Sequence, residues 1–110
     1  MNLNIKTLSC FDKDVKRLFK KYKQLPNDLK ALNKELLENL KSGIELGNRC
    51  YKIRLANSSI PTGKSGGFRI IYYHIDSNEN LYLMSMYSKN ELENIDDKTI
   101  LNILKDNCLV

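Results

Sequence analysis

Residues 50–87 read CYKIRLANSSIPTGKSGGFRIIYYHIDSNENLYLMSMY, and three strands with their connections are legible in them. In residues 50–56, Tyr51, Ile53 and Leu55 alternate with Lys52 and Arg54. That period of two marks a strand with one apolar and one polar face. Residues 68–75 are dense in aromatic and β-branched side chains, which suit a pleated surface. Residues 81–87 form a third such run. Between the first two lies a polar loop, 57–67, with Pro61, Gly63, Gly66 and Gly67; between the last two lies a turn at 76–80. The reading is a three-stranded meander.

Upstream the period changes. Residues 2–8 alternate as a short strand does, with Leu3, Ile5 and Thr7 on one side. Ser9 stands at an N-cap position with Asp12 three residues on. Phe11, Val15, Leu18, Phe19 and Tyr22 then follow helical spacing, while Lys13, Lys16, Arg17, Lys20 and Lys21 take the opposite face. Pro26 suits the first turn of a second helix whose stripe is Leu25, Leu29, Leu32, Leu36 and Leu40, with Gly43 as its terminal glycine. The two helices make a hairpin joined near Gln24. Downstream, Asp96 or Asp97 caps a last short helix containing Ile100, Leu101, Ile103 and Leu104. The expected fold is α+β: a small, mainly antiparallel sheet, the helical hairpin packed on one face, and a short C-terminal helix. Residues 1–110 read as a single domain.

Composition narrows the function. The longest apolar runs fall far short of the ~20 residues that cross a bilayer, and the first ten residues hold no apolar core of signal-peptide length. The expectation is a cytoplasmic protein without a membrane partner. Cys10, Cys50 and Cys108 are odd in number and widely spaced, and His74 is the single histidine. No zinc site and no cofactor are expected, and each cysteine reads as a small buried apolar residue. Gly63-Lys64-Ser65 lies in a hairpin loop rather than between a strand and a helix, so it is not a nucleotide-binding phosphate loop. No histidine pair or carboxylate cluster points to acid/base or two-metal hydrolysis.

Net charge is +5, and its distribution says more than its size. Residues 49–75 carry five Lys and Arg and no Asp or Glu, as a phosphate-binding surface requires. Glu91, Glu93, Asp96 and Asp97 follow that basic run and read as exposed charge and helix capping. Lys52 and Arg54 are two apart and leave the same sheet face. With Phe68 turned to the helices, Arg69 joins them, Lys64 approaches from the loop and Lys89 from the end of the last strand. The alternative for these cations is a solvated sheet face. Aromatic residues in strands are usually packing residues.

The segments Tyr51–Leu55, Gly63–Tyr73 and 86–91 (MYSKNE), with FDKDVKRL at 11–18, resemble the RelE/ParE toxin superfamily, and most closely its HigB-like and RelE-like branch. The resemblance covers nearly the whole chain in order. It implies a toxin of a type II toxin-antitoxin system that cleaves messenger RNA, commonly in the ribosomal A site, and is neutralised by a cognate antitoxin. The family's basic residues map onto Lys52, Arg54 and Arg69, with Lys64 and Lys89 beside them. The sequence departs from the best-known RelE pattern in having no tyrosine after Lys89. A residue stacking on a substrate base is then sought in Tyr73 or Tyr87.

RNA carries its own nucleophile. Attack of a 2′-hydroxyl on the adjacent phosphate gives a 2′,3′-cyclic phosphate and a free 5′-hydroxyl, and needs alignment, charge stabilisation and two proton transfers. Arg54 and Arg69 suit the phosphorane because the guanidinium fork matches phosphate oxygens. Lys52 is the first candidate for the base and Lys89 for the proton donor or phosphate clamp. The expectation is a metal-independent, ribosome-dependent endoribonuclease. The alternatives are a ParE-like inhibitor of DNA gyrase and a non-catalytic RNA-binding module.

Overall fold

In the computed structural model, residues 3–61, 63, 66–75 and 79–110 are described, without the Ile75 side chain. Chain order is β1 (Asn4–Thr7), α1 (Ser9–Phe19), α2 (Leu25–Glu38), β2 (Ile44–Gly47), β3 (Cys50–Leu55), β4 (Phe68–Ile75), β5 (Asn80–Ser88) and α3 (Asp97–Asp106). The sheet order is β1-β5-β4-β3-β2. β1 runs parallel to β5, and the other pairs are antiparallel. The meander of β3, β4 and β5 forms the middle of the sheet. β2, four exposed residues, adds a strand that the sequence reading did not contain. Its alternation is too short to register as a period.

The hairpin of α1 and α2 covers one sheet face. Phe11, Leu18, Leu32 and Leu36 meet Ile53, Leu55, Phe68, Ile70, Tyr72 and Met86 there. Phe19, placed in the buried stripe by its spacing, is instead 43% exposed, with the Lys23 ammonium 5.1 Å over its ring. α3 packs on the opposite face, where Ile100 and Leu104 close over Cys50, Ile71, Tyr73, Met84 and Tyr87. Helices therefore cover both faces. This is why β5 is buried almost end to end and does not alternate polar with apolar residues.

A bulge in β5 sets its phase. Ile71 pairs with Ser85 but Tyr72 pairs with Leu83, which leaves Met84 as the extra residue. Leu81, Leu83 and Met86 consequently all lie in the core beneath the hairpin, and Met84 turns to α3. The Asp14 carboxylate of α1 accepts from the Met86 amide at 3.0 Å and satisfies backbone polarity beside the bulge.

Local endings differ from the reading in two places. Leu8, not Ser9, is the N-cap of α1, and no side chain caps it. α2 ends at Glu38, well before Gly43. Gly43 is required for a different reason: a Cβ there would lie 2.8 Å from the Lys52 carbonyl oxygen and 3.0 Å from the Tyr72 hydroxyl. Asp96 does cap α3, its carboxylate accepting from the Thr99 amide at 2.7 Å. Of the cysteines, Cys50 is buried, Cys10 half-buried and Cys108 exposed, so the buried reading fails for Cys108. Among the described residues no helix is long and apolar enough to cross a membrane.

Candidate RNA-binding cleft

α3 spans ten residues and covers only one end of its sheet face. The other end is an open cleft of about 430 Å³, lined by Ile44, Lys52, Arg54, Arg69, Lys89, Glu93 and Asn94. Four of these seven side chains are cationic. The volume falls in the ~300–1,000 Å³ range of small-ligand pockets.

Strand register builds the cationic row. Arg54 is directly opposite Arg69 across β3 and β4, and Arg69 is opposite Tyr87 across β4 and β5. Cβ atoms of such cross-strand partners lie about 5 Å apart, where like charges repel. Arg69 is only 4% exposed, and its guanidinium donates to the Phe68 carbonyl at 3.2 Å. Burial, then the neighbouring Arg54, push its pKa down. A bound anion would relieve both costs. Arg54 itself is exposed and points into the open end.

Lys52 emerges two residues before Arg54 and donates from Nζ to Asn94 Oδ1 at 3.3 Å. The same oxygen takes the Ile95 amide at 3.1 Å and the Tyr87 hydroxyl at 3.5 Å. Asn94 was missed by the sequence reading; only its position beside the aspartates of the α3 cap marked it. Lys89 is held through its backbone, whose amide donates to the Gly67 carbonyl at 3.0 Å. Gly67 admits no side chain, because a Cβ would stand 2.2 Å from the Leu55 carbonyl oxygen. That close approach is the physical content of the Gly-Gly-Phe-Arg run entering β4.

The structure thus brings Lys52, Arg54, Arg69 and Lys89 around one cleft. Lys64, the loop cation, lies outside the described residues. The two tyrosines need correction. Tyr73 sits in the half covered by α3, 2% exposed, with its hydroxyl donating to the Leu109 carbonyl at 3.0 Å. No base can reach its ring. Tyr87 is 3% exposed; its ring packs with α3 and only its hydroxyl edge approaches the cleft. Burial pushes its phenol pKa up, against the pull of Arg69. It can orient Asn94 but cannot stack face-on. His74 is buried toward the other end of β4, opposite Leu81. The Cys50 thiol, pushed up to about 11 by burial, lies in the covered half.

No family model matches the chain. Among solved structures it is similar to a double arginine-to-alanine mutant of the Escherichia coli toxin RelE in the free state. That match has 22% identity, covers 84% of this chain and 90% of that one, and has a TM-score of 0.57. It is also similar to the isolated E. coli RelE toxin, at 18% identity over 96% of this chain and 98% of that one, with a TM-score of 0.55. A metal-bound toxin from Helicobacter pylori aligns at 27% identity over 83% of this chain and 99% of that one, with a TM-score of 0.43. The chain has the RelE-like α+β fold.

Proposed function

On that fold, we propose that the protein is the toxin of a type II toxin-antitoxin system. Its activity is that of a metal-independent endoribonuclease cutting messenger RNA on the ribosome, and a cognate antitoxin neutralises it. The observation that carries the reading is the open cleft in which Lys52, Arg54, Arg69 and Lys89 converge.

The cleft supplies what in-line attack by a 2′-hydroxyl lacks. Arg54 and Arg69, opposed across two strands, grip the non-bridging oxygens and stabilise the charge that grows on phosphorus. Arg69 is nearly buried, so its charge acts in a medium that screens it less than water. Asn94 orients the Lys52 ammonium, and Lys52 and Lys89 stand ready to donate to the departing 5′-oxygen. The exposed Lys13 and Lys16 of α1, with Lys20 and Lys21 just beyond its end, add sequence-independent attraction to ribosomal RNA, whereas Arg17 is engaged by Asp14 and Glu91.

The test is to incubate the protein with translating ribosomes and map messenger ends. Fragments with 2′,3′-cyclic phosphate and 5′-hydroxyl termini are expected, with Lys52→Ala and Arg69→Ala each cutting roughly 10²–10³-fold more slowly. Binding without new ends would leave only an RNA-binding module. Inhibition of gyrase without RNA cleavage would point to the ParE-like activity.

A further inference from the structure

A cleft that cuts RNA needs a proton acceptor as well as cations. Of the described side chains lining it, Lys52, Arg54, Arg69 and Lys89 are cations, Asn94 and Ile44 do not titrate, and Glu93 is the one carboxylate. Tyr87 at its edge has its phenol pushed up by burial, and its hydroxyl is turned to Asn94. His74 lies toward the other end of β4. Lys52, the base favoured on sequence grounds, is a hydrogen-bond donor to Asn94.

Glu93 sits on residues 89–96, a segment pinned on both sides of it. On one side, Glu91 Oε1 accepts from Arg17 at 2.6 Å and from the Ser88 amide at 3.3 Å, and the Glu91 amide donates to Ser88 Oγ. On the other, Asn94 Oδ1 receives Lys52, Tyr87 and the Ile95 amide. Between them Glu93, exposed to solvent, lines the cleft. A negative charge weakens a phosphate site by repulsion, so this placement works against simple RNA binding.

Resting on the RNA-cleaving reading above, we propose that Glu93 is the catalytic base that accepts the 2′-hydroxyl proton. As the 2′-oxygen bonds to phosphorus, its proton passes to the Glu93 carboxylate. The bond from phosphorus to the 5′-oxygen breaks, and that oxygen takes a proton from the Lys89 or Lys52 ammonium. The products are a 2′,3′-cyclic phosphate and a 5′-hydroxyl, and the proton on Glu93 returns to the neutral lysine through solvent.

The experiment compares wild type, Glu93→Gln and Glu93→Asp in single-turnover cleavage of messenger on translating ribosomes, with co-sedimentation as the binding readout. Glu93→Gln is expected to cut ~10²-fold more slowly or worse while binding ribosomes at least as well, and Glu93→Asp to keep part of the rate. If Glu93 merely repels phosphate, Glu93→Gln binds more tightly and cuts at the parental rate or faster, which overturns the proposal. A wild-type protein that cuts no RNA overturns the nuclease reading itself, whatever Glu93→Gln does.

Discussion

On the sheet face that carries α3, β3 contributes Cys50 at one end and Lys52 and Arg54 at the other; β4 contributes Tyr73 and Ile71, then Arg69. The first set is packed beneath Ile100 and Leu104, and the second lines an open cleft. The same strands, in the same register, thus make half of an apolar core and half of a cationic site. The boundary falls where α3 stops covering. A helix laid over Lys52, Arg54 and Arg69 would bury three cations without an anion, at a cost of several kcal/mol each. The short helix thus matters as much for what it leaves open as for what it covers. Tyr87 straddles the boundary, its ring on the covered side and its hydroxyl on the open one.

The largest effect is expected in the covered half. Leu104→Ala removes a fully buried side chain from beneath α3 and should cost about 2–5 kcal/mol of stability, read by denaturant unfolding. Cleavage per folded molecule should persist. If instead cleavage per folded molecule falls as well, the two halves are not separable. The tyrosines sharpen the boundary with a smaller effect. Tyr73→Phe loses its bond to Leu109 and about 1 kcal/mol of stability with RNA cleavage unchanged. Tyr87→Phe should do the reverse, slowing cleavage several-fold at nearly constant stability, because Asn94 loses one of its three donors. Equal behaviour of the two variants would erase the boundary.

The smallest effect is at the helix cap. Hydrogen bonding to Thr99 lowers the Asp96 pKa, so this contribution to stability is present above the unfolded carboxyl value of ~3.9 and fades as pH falls through the lower folded value. Asp96→Ala should be slightly less stable than wild type at neutral pH, with the difference closing in acid. Thermal unfolding across pH checks this; a gap that widens in acid would contradict the cap.

Much of this arrangement was readable beforehand, for reasons that differ by element. β3 carries its alternation openly, because its apolar face meets the hairpin while Lys52 and Arg54 meet water. β5 hides its faces, because both are buried and a bulge shifts its phase. β2 is a four-residue edge strand with no pattern to detect. Phe19 follows the helical stripe yet is 43% exposed, with Lys23 over its ring. Tyr73 and Tyr87 looked available because aromatic residues in strands carry no mark of which helix will cover them.

The alternation of β3, the amphipathic hairpin, the glycine pair before Phe68 and the acid-free basic run are written in the amino-acid order alone. Each is local, set by side-chain period or by the room for a Cβ. That α3 crosses to the far face, that it stops short of Arg69, and that Glu93 and Asn94 join the cations are set by the folded chain. Those facts depend on contacts between residues some forty positions apart, such as Lys52 with Asn94, and chain closure over that distance leaves no periodic trace in the sequence.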